Sequence, residues 1–129
     1  MHTLVLGTLA FDSIETPFGA RDEVVGGSGT YISLAARYMA DSVGLVSVAG
    51  DDFTDQPIAM LRDRGIDTGG VEVVDGGRTF RWAGRYHYDL NQRDTLDTQL
   101  NVLADFEPEV PEAYRDAEIV CLGNLDPSI

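Results

Sequence analysis

The sequence predicts an α/β fold. Two short apolar runs rich in β-branched residues, 3–11 and 43–50, are each followed by a stretch with helical spacing, and a glycine-rich segment opens the first of those helices. Strand, helix, strand, helix is the alternation of a sheet packed by helices. With 129 residues, 43% of them hydrophobic, the chain has the length and composition of one domain with a sizeable core.

Taken in order, TLVLGTLAF at 3–11 is too short and too interrupted by glycine for a helix, so it reads as a buried first strand ending at Asp12. In SIETPFGARDEVV the turn signals at Pro17 and Gly19 separate two extended pieces of a small hairpin. The stretch GGSGTYISLAARYMA, 26–40, then places three glycines ahead of a helix over about 30–40, with Leu34, Ala35, Tyr38 and Met39 forming its apolar stripe. Glycine in the interior of that helix would cost about 1 kcal/mol, so its concentration before the helix points to a close approach to the main chain.

A second buried strand is expected at 43–50, followed by a helix that Thr54 caps and that Gly65 ends as the residue after its C-terminus. Asp51 and Asp52 suit the same N-terminus, where acidic groups complement the helix dipole. The segment VEVVDGGRTFRWAGRYHY reads as an antiparallel hairpin turning at Asp75-Gly76-Gly77. Its second strand sets Phe80, Trp82, Tyr86 and Tyr88 on one face and Arg81, Arg85 and His87 on the other. Leu96, Leu100 and Leu103 suggest a further helix, Pro108 and Pro111 a loop, and EIVCLG at 118–123 a last buried strand. The chain stops directly after that strand, where a covering helix is expected, so it reads as truncated.

Charge narrows the partners. With 22 acidic residues against 9 basic ones, all arginine, the net charge of −13 repels nucleic-acid backbones and anionic membranes. No apolar run approaches the roughly 18 residues needed to cross a bilayer, and the first residues lack the pattern of a signal peptide, which points to a soluble, cytoplasmic protein. The single cysteine, Cys121, sits in the apolar context IVCL and reads as a core residue. His2 and His87 are isolated, so no metal-ligand spacing exists. Gly27-Ser28-Gly29 lacks the third glycine of a dinucleotide fingerprint, and a chain without lysine has no P-loop.

Four pieces in sequence, LGTLAFD (6–12), VVGGSGTYISLAARYMA (24–40), VGLVSVAGDDF with LRDRGIDT (43–53 and 61–68) and TFRWAGRY (79–86), resemble the ribokinase-like (PfkB) carbohydrate kinase family. The resemblance covers nearly the whole chain. It implies a Rossmann-like (ribokinase-like) sheet with helices on both faces plus a small β-sheet lid, with lid strands at about 13–25 and 71–90. Residues 1–129 would be the N-terminal portion of a kinase domain whose C-terminal, ATP-binding half is absent. The implied activity is ATP-dependent transfer of a γ-phosphoryl group to a hydroxyl of a sugar, polyol or nucleoside. The different class of reading is a non-catalytic carbohydrate-binding or dimerisation module.

The resemblance also assigns residues. Asp12 would bind substrate hydroxyls, Gly26 and Gly27 would be a lid hinge beside the sugar, and Ser28, Tyr31 and Asn124 would complete the substrate site. Arg81, Trp82 and Tyr86 would be the lid's contribution, to the substrate or to a homodimer formed through the lid. Tyr31 and Ala10 stand where many ribose-phosphorylating members carry asparagine, which turns the expectation from ribose towards another carbohydrate, a polyol or a nucleoside. Ala49-Gly50-Asp51 resembles the element that holds a sugar kinase's catalytic aspartate, but capping suits Asp51 better, so no catalytic residue is assigned within the segment. ATP and Mg²⁺ would be held mainly by the missing half.

Overall fold

The computed structural model describes all 129 residues, arranged around two four-stranded sheets. The first sheet contains β1 (His2–Leu6), β4 (Ser42–Gly50), β5 (Ile66–Val74) and β8 (Ile119–Leu122) in the order β5-β4-β1-β8, all parallel. The second contains β2 (Ala10–Thr16), β3 (Gly19–Gly26), β6 (Phe80–Tyr86) and β7 (Arg93–Gln99) in the order β3-β2-β6-β7. Two α-helices, α1 (Ser28–Arg37) and α2 (Gln56–Asp63), follow the glycine segment and β4.

β4 is the spine of the first sheet because nearly every residue from Val43 to Gly50 is buried, as a strand covered on both faces requires. Val43, Leu45 and Ala49 pack with Val5, Phe53, Ile58 and Leu61 on the helix side. Val46 and Val48 pack with Leu4, Phe106 and Tyr114 on the other. Burying one such side chain stabilises the fold by roughly 1.5–3 kcal/mol, so these two clusters dominate its energetics. Both α-helices therefore cover one face. The opposite face is closed by 3₁₀ turns at Asn101–Asp105 and Glu112–Tyr114 instead of the helix layer expected there.

The expected first strand is really two. The apolar run 3–11 breaks at residues 7–9, which are buried as a link, so β1 stays in the first sheet while β2 begins the second. Asp12 is thus the third residue of β2 and not the end of β1. The hairpin around Pro17 and Gly19 is β2–β3, antiparallel with a bulge between Asp12 and Ile14.

The expected hairpin at 71–88 is divided in the same manner. β5 pairs parallel with β4, whereas β6 pairs parallel with β2 and antiparallel with β7, so residues 75–79 cross between sheets. The strands of the second sheet accordingly span 10–26 and 80–99, not 13–25 and 71–90, and Leu96 lies in β7 instead of a helix. In α1 the buried face is Gly29, Thr30 and Ser33, with Ile32, Leu34 and Ala36 packed beside it, while Tyr38 and Met39 are exposed. β8 pairs only with β1 and stands at an edge, with Val120 and Leu122 exposed and Cys121 packed against the helix-side core.

The turn before α2 also differs from its expected capping. The Thr54 hydroxyl donates back to the Asp51 carbonyl, and Asp55 occupies the cap position without a side-chain bond. The helix ends as expected at Gly65, whose φ of +82° is the left-handed conformation that glycine tolerates best.

Candidate functional site

The glycine segment approaches the chain's own link between the sheets. Ser28 and Thr8 are stitched reciprocally: the Ser28 N–H donates to Thr8 Oγ1 at 2.9 Å, and the Thr8 N–H donates to Ser28 Oγ at 3.1 Å. The Gly29 N–H donates to the Thr8 carbonyl at 2.8 Å. Gly27, with φ +93°, lies directly against that same carbonyl, leaving no room for a Cβ. These bonds satisfy donors that a helix start otherwise leaves unpaired. The hydroxyl of Ser28 is thereby committed to Thr8.

Gly26 ends β3, and the space a Cβ would fill there is taken by the Asp12 carboxylate. Asp12 pairs in register with Val24 on one side and Trp82 on the other, so its side chain shares a sheet face with the Trp82 indole. The carboxylate accepts no hydrogen bond from the chain and forms no ion pair, and burial pushes its pKa above the usual carboxylate range. Its oxygens keep contact with solvent, so external hydroxyls can take the place of water there.

Trp82 lies across Gly84, its Nε1–H donates to Thr95 Oγ1 at 3.3 Å, and Tyr86 meets it edge-on with centroids 6.5 Å apart. The Arg93 guanidinium stands 6.0 Å from the indole centroid. The sidedness expected of this strand is therefore present, with an aromatic surface beside the carboxylate. Further along the same face, Phe80 joins Thr8, Leu103, Phe106 and Asn124 around a cleft of about 370 Å³. Asn124 follows Gly123, whose N–H donates to the Leu6 carbonyl at 2.7 Å and whose Cα side faces Ser28.

The structure thus brings Asp12, Gly26, Trp82 and Tyr86 together, whereas Asn124 lines a cleft with Thr8 and Phe80 that none of them enters. Tyr31 stands apart as an exposed residue on the first turn of α1. Arg81 lies on the opposite face of the second sheet, over the Phe11 ring at 5.0 Å, and not beside Trp82 and Tyr86. There it bonds Glu23 and Asp52, partners that spacing along the chain did not suggest. Thr8 was missed as well. Its signal was a short polar residue between two apolar runs, facing a helix that starts with serine.

The carboxylates after β4 are occupied. Asp51 accepts from the Gly76 N–H at 2.8 Å, while Asp52 accepts from the Thr79 hydroxyl at 2.6 Å, the Thr79 N–H and Arg81. Burial alone would raise the Asp52 pKa, but the bonds from Thr79 and Arg81 outweigh it and hold the group below the ordinary value. Both side chains therefore tie the crossing segment 75–79 to the end of β4 and are not helix caps. No group of three or more His, Cys, Asp or Glu side chains is arranged to hold a metal ion. No helix is long and apolar enough to cross a membrane.

No family model matches the chain. It is 27% identical over 128 residues to a cytidine kinase of Thermococcus kodakarensis, an alignment covering 98% of this chain and 45% of that protein. A ribokinase from Cryptococcus neoformans, solved with ADP, superposes with a TM-score of 0.76 at 18% identity, covering 94% of this chain and 41% of that one. A nucleoside kinase of Methanocaldococcus jannaschii, an archaeal member of the ribokinase family, gives 0.75 at 17% identity, with 99% and 46% covered. The chain spans less than half the length of each of these kinases of sugars and nucleosides. Two sheets in this order, joined by the Thr8 link and the crossing at 75–79, are the ribokinase-like fold, which is the fold of this chain.

Proposed function

We propose that these 129 residues form the acceptor-binding portion of an ATP-dependent kinase that phosphorylates a hydroxyl of a nucleoside or sugar. The observation that carries this reading is the Asp12 carboxylate, half-buried, free of donors from the chain, pressed on Gly26 and flanked by Trp82. A carboxylate can accept hydrogen bonds from two vicinal hydroxyls at once, and an indole beside it offers a flat surface for a planar base. Similarity to a cytidine kinase and a nucleoside kinase favours a nucleoside over a free sugar.

In this reading the second sheet is the lid, with Asp12, Gly26 and Asn124 on the sugar and Trp82 and Tyr86 on the base. Ser28 acts through its bonds to Thr8, holding the start of α1 against the link. ATP and Mg²⁺ are bound by residues outside these 129, and the reaction takes place in the cytoplasm, where ATP is supplied. β7 is exposed along its whole length at the free edge of the second sheet, which suits pairing with a second copy. The test is to incubate the full-length protein with ATP, Mg²⁺ and a panel of nucleosides and sugars while following ADP release. Residues 1–129 alone should release none above the blank. Absence of turnover with every acceptor, or turnover by the segment alone, would refute the reading.

A further inference from the structure

The guanidinium of Arg81 reaches four partners in four different places. Nε donates to Glu23 Oε1 at 2.9 Å on β3, and Nη1 donates both to Asp52 Oδ2 at 3.0 Å beyond the end of β4 and to the Thr79 carbonyl at 3.0 Å ahead of β6. Its carbon lies over Phe11 on β2, and Phe11 in turn packs on Phe53 of the first sheet's core, with centroids 5.2 Å apart. The Arg81 side chain is 15% exposed and Asp52 28%, while Glu23 is 58% exposed, so the junction is shielded on its Asp52 side and open to water at Glu23.

Two of these contacts bear on Asp12. Phe11 is the residue before it, so fixing the Phe11 ring on one face of β2 fixes the direction of Asp12 on the other. Glu23 faces the bulge between Asp12 and Ile14, and has φ +48°, a left-handed conformation uncommon for a non-glycine residue. The Glu23 N–H donates to Ser13 Oγ at 3.2 Å, and the ion pair to Arg81 holds its side chain. Asp52, meanwhile, also accepts from the Thr79 N–H and hydroxyl, bonds to the crossing segment that do not pass through Arg81.

We infer that Arg81 is a positioning residue, clasping β3 and β2 to Asp52 at the end of the first sheet and thereby aiming the Asp12 carboxylate at the acceptor hydroxyls. The inference rests on the acceptor-site reading above but assigns a role to the face of the second sheet opposite Asp12. A donor with several N–H groups is needed because Glu23 on β3 and Asp52 in the turn after β4 are addressed by different nitrogens of one guanidinium.

A double-mutant cycle tests it. Cytidine binding to the full-length protein is read by isothermal titration calorimetry. Arg81→Gln is expected to weaken cytidine binding roughly tenfold, within the range for groups coupled in one hydrogen-bond network, and to leave the KM for ATP unchanged. Arg81→Gln combined with Asp12→Asn should bind no more weakly than Asp12→Asn alone, because a carboxylate that is gone cannot be misaimed. Glu23→Gln, the milder change, should show the same non-additivity to a smaller degree and serves if Arg81→Gln does not fold. Additive losses, or unaltered binding in Arg81→Gln and Glu23→Gln, overturn the positioning role. Should Asp12→Asn itself bind cytidine as tightly as the parent, the acceptor-site reading falls first and this inference with it.

Discussion

Asp12→Asn should make the protein more stable and a worse binder at once. The substitution keeps the shape of the side chain and one acceptor oxygen, and removes the charge. Each hydrogen bond from an acceptor hydroxyl to a carboxylate is worth about 1.5–3 kcal/mol, and the amide retains only one good acceptor, so acceptor affinity should fall roughly tenfold to a hundredfold. Stability should move oppositely. Asp12 meets no donor or cation in the free protein, and burial raises its pKa, so its ionised form is carried at a cost.

The sign of the pH dependence follows from that shift. The folded chain holds the Asp12 proton more tightly than the unfolded chain does, so this group's contribution to stability is complete below the unfolded pKa of about 3.9 and is lost as pH rises through the raised folded value. At pH 7 the Asn variant should therefore be the more stable by about 0.5–1 kcal/mol, a typical gain from relieving a strained functional group, or about 2 °C in Tm. The advantage should shrink as the pH is lowered towards 4. Differential scanning calorimetry at several pH values, beside cytidine titrations, reads both quantities. An Asn variant that is less stable at pH 7 would show that the carboxylate has a structural partner, and the reasoning that leaves it free for an acceptor would be wrong.

Asp52 should behave in the opposite way: its pKa is depressed, so its stabilisation is present above the unfolded value and is lost as pH falls through the folded one, and Asp52→Asn should cost about 1.5–3 kcal/mol at pH 7 in urea melts, with the difference vanishing in acid. Gly26→Ala should weaken cytidine binding at least tenfold in the same titration, because the added methyl must displace the Asp12 carboxylate. Ser33 is fully buried with no partner for its hydroxyl, so Ser33→Ala should raise the midpoint of chemical denaturation, by about 1 kcal/mol in stability, without touching acceptor affinity.

Where the sequence was legible, the signal was local. β4 announces itself because a strand buried on both faces must be a continuous apolar run, and α2 because Gly65 stops it in the one conformation that nearly requires glycine. The failures share a cause in long-range pairing. TLVLGTLAF looks like one strand because residues 7–9 are as buried as the strands beside them, yet Thr8 bonds the start of α1, and the chain changes sheets. Asp75-Gly76-Gly77 is a genuine turn, but Asp51 bonds the Gly76 N–H and Gly77 packs against Gly50, so the turn sends β6 to the second sheet instead of back along β5. Turn chemistry specifies a reversal and says nothing about which strand waits on the other side.

The candidate site divides along the same line. Asp12 and the glycines are assigned by the resemblance to the family, and the β2–β3 hairpin is what sets the Asp12 carboxylate against Gly26 at its far end. The alternation of β6 likewise separated Trp82 and Tyr86 from Arg81 correctly, since a period of two needs no knowledge of the partner strands. Alternation cannot say which face meets the first sheet. That depended on Phe11 docking on Phe53 and on Asp52 lying just past β4, contacts made across 42 and 29 positions of chain. Arg81, expected in the lid facing the substrate or a second subunit, has its charge spent between the sheets, and Asp12 on the other face has no partner from the chain. A site of this kind is read more surely from which polar groups the fold leaves unsatisfied than from which residues look reactive, because the fold pairs most of its charges for its own support.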